Sequence, residues 1–204
     1  MTEIKIQARP ENQPLEMPLP INENEKINSS EFDIFAENYD ELLQADLAFL
    51  GKDPSWYNAY KIKLLNNELA QKPLTILDFG CGTGRNIPFI QNTFVQAKLD
   101  ACDVSEKSIR HAKQHSPNVN FFHPDSLFES DKKYDLIIVS VVLHHIPADD
   151  LFAELKRMKS LLSENGRIAI FEHNPWNPIT RWIISNSKFD IQAKLIPLKT
   201  LDKL

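Results

Sequence analysis

The 204-residue chain holds five glycines, where average usage of ~7% would supply about 14. Three of the five, Gly80, Gly82 and Gly84, are clustered; the others are Gly51 and Gly166. Cysteine is scarcer still. Cys81 and Cys102 alone exclude a disulfide scaffold and suit a reducing, cytoplasmic setting. Long apolar runs are missing too: the longest without charge, Leu136 to Leu143, has eight residues including Ser140, against ~20 for a membrane-spanning helix. No basic stretch followed by an apolar one opens the chain, so no secretory signal is expected. Positive charge is also short. Lys and Arg number 23 against 28 Asp and Glu, for a net charge of −5, so neither nucleic acid nor membrane is an expected partner.

Against that background three regions stand out. Residues 1–28 mix Pro, Glu, Asn and Gln without a period and read as a mobile N-terminal arm. From Ser29 the pattern turns helical: Phe32, Phe35, Ala36, Tyr39, Leu42 and Leu43 recur at helical spacing, and a second helix is predicted from Trp56 to Gln71. Residues 29–72 are therefore a helical cap. Between 73 and 172 short apolar runs alternate with helical patterns. Strands are predicted at Leu74–Phe79, Lys98–Asp103, Asn118–His123, Tyr134–Val139 and Arg167–Phe171. Helices are predicted at Thr83–Gln91, at Ser105–His115 with Ser105 as cap, and at Asp149–Leu162. That last helix carries Leu151, Phe152, Leu155, Met158, Leu161 and Leu162 on one face, and Asn165-Gly166 makes a turn after it. This alternation means βαβ units and a doubly wound α/β sheet that is mostly parallel.

The clustered glycines sit in Asp78-Phe-Gly-Cys-Gly-Thr-Gly84, directly after the first strand. In an open α/β sheet that turn is where ligands bind. The dinucleotide pattern G-x-G-x-x-G fails, because Arg85 or Ile87 occupies its last position, and a P-loop fails because Arg85-Asn86 follows Gly84. Asp78 would also repel a pyrophosphate, whereas it suits a ligand with an ammonium group, which S-adenosylmethionine has. Asp103, ending the second strand, is placed to accept ribose hydroxyls. Asp125, after the third strand, is placed to meet an adenine amino group.

Ile76–Arg85, Asp103-Val-Ser105, Asp125 and Tyr134–Pro147 resemble successive motifs of the class I S-adenosylmethionine-dependent methyltransferases of small-molecule type. Phe32–Asp40 resembles the helix that precedes the sheet in many members. The resemblance implies a Rossmann-like sheet of order 3-2-1-4-5 with S-adenosyl-L-methionine as cofactor and no metal. Asp78, Gly80, Gly82 and their neighbours Cys81 and Gly84 would cradle the methionine part, Asp103 the ribose, and Asp125 with Ser126 the adenine, while Tyr39 closes over the cofactor; Val104 and Ser140 join the cofactor-binding set.

Methyl transfer needs positioning and desolvation, with a base only where the acceptor must lose a proton. Glu172, His173 and His144, with His145, stand near the carboxyl ends of strands four and five as candidate bases; for the histidines a packing or capping role is the alternative. Cys81 is not expected to be a nucleophile. Trp176 and Trp182 read as packing. After Phe171 only 33 residues remain, so the family's strands six and seven are expected to be missing and residues 173–204 to be an incomplete C-terminal part. The fifth strand would then be an open edge, free to pair with the tail or, as a homodimer, with a second chain. A cofactor-binding domain without turnover, and third a nucleotide-dependent oxidoreductase, are the competing readings.

Overall fold

The computed structural model describes residues 54–186 and 194–197. The arm and the helix expected around residues 32–43, with Tyr39, lie outside them. Among the described residues twelve elements follow one another. They are α1 (Pro54–Glu68), β1 (Thr75–Phe79), α2 (Ile87–Thr93), β2 (Lys98–Cys102), α3 (Glu106–His115), β3 (Asn120–Phe122), α4 (Pro124–Phe128), β4 (Tyr134–Ser140), a 3₁₀ turn (Leu143–His145), α5 (Ala148–Ser160), β5 (Leu162–Phe171) and α6 (Pro178–Asn186). The five strands form one sheet in the order β3-β2-β1-β4-β5, and every pair is parallel. Among the described residues no sixth strand joins it.

Strand periodicity divides the core in two. Ile76, Leu99, Leu136 and Ile138 point to one face, where α1 adds Ile62 and Leu65 and α2 adds Ile87 and Ile90. Leu77, Phe79, Ile137 and Val139 point to the other, where Leu127, Leu151 and Met158 close over them. Covered on both sides, the central strands can be apolar at successive positions, which is why β4 reads as an unbroken hydrophobic run. The same parity puts Asp78 of β1 and Ser140 of β4 on the α1 side near the carboxyl end of the sheet, Asp78 lying opposite Ile138, two residues before Ser140.

Several boundaries differ from the expectation, each for a local reason. The helix expected from Thr83 starts at Ile87, because Gly82 and Gly84 hold positive φ, 52° and 86°, and residues 82–86 form turns instead. Helix α4 has no period long enough to read; His123 caps it by accepting from the Asp125 N–H. Phe152 of α5 is 57% exposed rather than on the apolar face. The Asn165-Gly166 turn lies inside β5, where the register jumps from Tyr134↔Leu162 to Leu136↔Arg167. Glycine is needed there because a Cβ at 166 would sit 2.5 Å from the Tyr134 carbonyl oxygen. Trp176 and Trp182 are 82% and 58% exposed, so neither packs in the core.

Candidate functional site

The glycine loop leaves β1 at its carboxyl end and is held from β2. The N–H groups of Gly80 and Cys81 both donate to the Cys102 carbonyl, at 2.8 and 2.9 Å. Asp103, next along, accepts the Gly82 N–H at 2.7 Å and the Ser105 N–H at 2.9 Å, with a further backbone bond from Val104. Burial pushes the Asp103 carboxyl above its ordinary range despite those donors. A carboxylate offers about four acceptor sites, so room remains for one hydroxyl donor. Ser105, as read from the sequence, caps α3 through the Ser108 N–H.

Asp78 is 1% exposed. Its Oδ1 receives a long bond from Asn86 Nδ2 at 3.5 Å, and its Oδ2 has no hydrogen-bond partner among the described residues. Burial raises its pKa from the ordinary 3.8 to about 6, although the charge of Lys61 and the Asn86 bond oppose this. Lys61 comes from α1, an element whose pattern gave no hint of a site. Its Nζ donates to Ser140 Oγ at 2.6 Å. Burial lowers its pKa from 10.5 to about 8, with the Asp78 charge opposing and Arg85 adding to the fall. Two further buried oxygens of the loop, Thr83 Oγ1 and Asn86 Oδ1, also lack partners among the described residues. Unpartnered buried oxygens cost free energy unless something satisfies them. The loop therefore fits a ligand that brings donors, an ammonium among them.

The other expected contacts sort unevenly. Val104, hydrophobic yet 36% exposed, offers an apolar surface at the end of β2. The Asp125 carboxylate is exposed and accepts from Arg157 at 2.9 Å, while Ser126 Oγ donates to the His123 carbonyl at 2.8 Å. Both stand beside the third strand, turned to protein partners. Cys81 is buried, and burial pushes its thiol well up, which removes it as a nucleophile.

Of the four candidate bases, Glu172, His144 and His173 part company. His144 is 2% exposed, and its Nδ1 lies 2.7 Å from Glu172 Oε2. Glu172 Oε1 accepts the N–H groups of Val142 at 3.0 Å and Leu143 at 2.7 Å. Burial alone would raise the Glu172 carboxyl; the His144 bond and charge and the two N–H donors outweigh it and hold the group low. Both side chains are spent on the turn after β4, so neither is open to an acceptor. That turn is strained: Val141 has φ 61°, a conformation that costs a β-branched residue ~1–3 kcal/mol and persists only where its surroundings impose it. His173 is half-buried, its ring 5.1 Å from that of His144. Among the described residues no cluster of three His, Cys, Asp or Glu could hold a metal ion.

With the loop and its acidic neighbours on the page, comparison with known proteins is direct. Residues 77–168 match a family described as a methyltransferase domain. This match, over residues 77–168 of the 204, supports reading the stretch as a class I S-adenosylmethionine-dependent methyltransferase domain. The chain is 36% identical over 104 residues to a malonyl-[acyl-carrier protein] O-methyltransferase of Ilyobacter polytropus, spanning 49% of this chain and 38% of that protein. It is 29% identical over 111 residues to a tRNA N(3)-methylcytidine methyltransferase of Schizosaccharomyces pombe, spanning 50% of this chain and 45% of that protein. The chain thus covers less than half the length of these relatives. Among solved structures, a plantazolicin methyltransferase in complex with a triazolic desmethylPZN analogue and SAH superposes with a TM-score of 0.59 at 17% identity, covering 86% of this chain and 71% of that one. That likeness is one of fold: the methyltransferase sheet in the 3-2-1-4-5 order that this chain's motifs imply.

Proposed function

We propose that the chain binds S-adenosylmethionine on the glycine loop and transfers its methyl group to a small-molecule acceptor. The observation that carries the reading is Asp78 together with Lys61: a buried carboxylate with one unpartnered oxygen, and a half-buried ammonium near enough to feel its charge. Such a pair matches an amino acid's own ammonium and carboxylate. Asp78 accepts from the ammonium and Lys61 takes the carboxylate, with Ser140 holding Lys61 in place. Asp103 accepts a ribose hydroxyl, Val104 lies against the adenine, and Asp125 with Ser126 stands near its amino group. Gly80, Cys81, Gly82 and Gly84 supply the close backbone, and Tyr39 is assigned as the cover.

The sulfonium of the bound cofactor supplies a methyl carbon already activated for displacement. The chain's part is then to orient and to exclude water. Where an acceptor must lose a proton, His173 takes it, since His144 and Glu172 are committed to each other. A small acceptor is favoured by the net charge of −5. The two buried cysteines, both free thiols, support a cytoplasmic setting. No helix of the described residues is long and apolar enough to cross a membrane.

Calorimetric titration of the full chain with S-adenosylmethionine, S-adenosylhomocysteine and NAD tests the first step. Binding of the first two and not the third is expected; no binding of either would end the reading. Transfer of a labelled methyl group from the cofactor to a small-metabolite extract, against transfer to bulk tRNA or to none, tests the second. Label in tRNA alone would overturn the small-molecule acceptor, and absence of any transfer would favour a binding domain without turnover.

A further inference from the structure

Two residues at the end of β5 tie down four consecutive residues of the turn after β4. The Phe171 carbonyl accepts the Val141 N–H at 2.8 Å. Glu172 Oε1 accepts the next two, from Val142 and Leu143, and Oε2 faces His144 Nδ1. The Glu172 side chain is 7% exposed and that of His144 0%, so water does not compete for these bonds. The turn so fixed includes Val141 at its positive φ and carries Val142 directly over the glycine loop. A Cβ added to Gly80 would fall well inside contact with the Val142 methyls, so the valine seats on the bare Cα of Gly80 and nothing larger would fit between them.

We propose that Glu172 is a positioning residue for the cofactor: through the turn it holds, it presses Val142 onto Gly80 and sets the loop from the β4 side, as Asp103 does from the β2 side. This rests on the reading of the loop as the cofactor's cradle. It also gives the strained Val141 a purpose. A relaxed turn would lift Val142 off Gly80 and free the loop on that side, leaving only its bonds to Cys102 and Asp103. Glu172 thereby joins the β4–β5 pair to a site built mainly from β1 and β2.

The test uses Glu172→Ala, Glu172→Gln, Val142→Ala and the double variant Glu172→Ala with Val142→Ala, each at a temperature where circular dichroism shows it folded. Two readouts are taken: amide hydrogen exchange over residues 79–84 in the ligand-free protein, and calorimetric affinity for S-adenosylmethionine. Glu172→Ala is expected to speed exchange across the loop and to weaken the cofactor by roughly tenfold or more. Glu172→Gln keeps an oxygen for the Val142 and Leu143 N–H groups and should recover the affinity to within about threefold. The double variant should be no worse than Glu172→Ala alone by more than about twofold, because both changes break one line of contact. Wild-type exchange and affinity in a folded Glu172→Ala protein, or losses that multiply in the double variant, would overturn the assignment. Should Glu172→Ala not fold, Val142→Ala and Glu172→Gln decide it alone: unchanged exchange in Val142→Ala, or no recovery in Glu172→Gln, refutes it. If the wild type does not bind the cofactor, the cradle reading fails, while loop exchange still decides whether Glu172 positions the loop.

Discussion

Replacing Asp78 with asparagine should stabilise the ligand-free protein and weaken its hold on the cofactor. The carboxyl titrates near 6 instead of 3.8 because it is buried; ionised in the fold, it costs ~3 kcal/mol. The sign follows from linkage. A carboxyl raised in the native state holds its proton there more tightly than in the unfolded chain, so wild-type stability falls as pH rises from about 4 to about 6 and stays low above. Asparagine cannot ionise and keeps an oxygen for Asn86 Nδ2, so it escapes that cost. Part of the gain is offset, because Lys61 loses the one charge that opposes its own desolvation. A net gain of ~1–2 kcal/mol at pH 8 remains, or about 2–8 °C in Tm for a chain of this size. Near pH 4, where wild-type Asp78 is protonated in the fold, the two proteins should melt together. Scanning calorimetry at pH 4 and pH 8 reads both, and titration at pH 8 should show S-adenosylmethionine weakened by roughly tenfold or more, from the lost bond between charged groups. A variant less stable than wild type at pH 8, or equally shifted at both pH values, would refute the reasoning about burial. A stabilised variant with unchanged affinity would refute the role of Asp78.

Three further changes probe other parts of the structure. Lys61→Met should weaken S-adenosylmethionine by ~1.5–3 kcal/mol through the lost carboxylate contact, and equal affinity by calorimetry would remove Lys61 from the site. Gly166→Ala places a Cβ 2.5 Å from the Tyr134 oxygen and 3.0 Å from Ser163 N; overpacking of this kind costs ~1–3 kcal/mol, and an unmoved urea midpoint would count against it. Tyr134→Phe removes a 2.8 Å donor from Asp100, which then keeps only Lys132 and Asn120, and should lower stability at pH 7 by ~1–2 kcal/mol. Burial raises the Asp100 carboxyl, but those three donors outweigh it and hold the group low, so its contribution is present at neutral pH and the deficit should shrink as pH falls below ~4. A deficit constant in urea titrations from pH 7 to pH 3 would be the contrary result.

What could be read from the sequence is what local chemistry decides. Ser105 caps α3 because its hydroxyl reaches a backbone N–H three residues on. Strands β1 and β4 are legible because continuous apolar runs are what a twice-covered strand requires. Asp78 and Asp103 are legible as positions at the carboxyl ends of β1 and β2. The start of α2 was not, since three glycines at positive φ leave a turn where a helical period continues on paper. Lys61 was not, because only the packing of α1 on the sheet brings it to Ser140, 79 positions away. Glu172 was found as a residue but not as a role. A carboxylate after a strand reads as a base until the two N–H groups and the imidazole that occupy it are seen. The tryptophans misled for a similar reason: composition says that large rings are usually buried, and only the surface shows that Trp176 is not.

The grip on Gly80 has a consequence in time as well as in space. The loop is complete by residue 84, yet its partners are Asp103, Val142 and, behind Val142, Glu172. A growing chain emerges N-terminus first, at ~5–20 residues per second. A nascent chain would carry the glycine loop for several seconds of synthesis before Glu172 emerged, so tight cofactor capture would wait for β5 rather than act as a nucleus for folding.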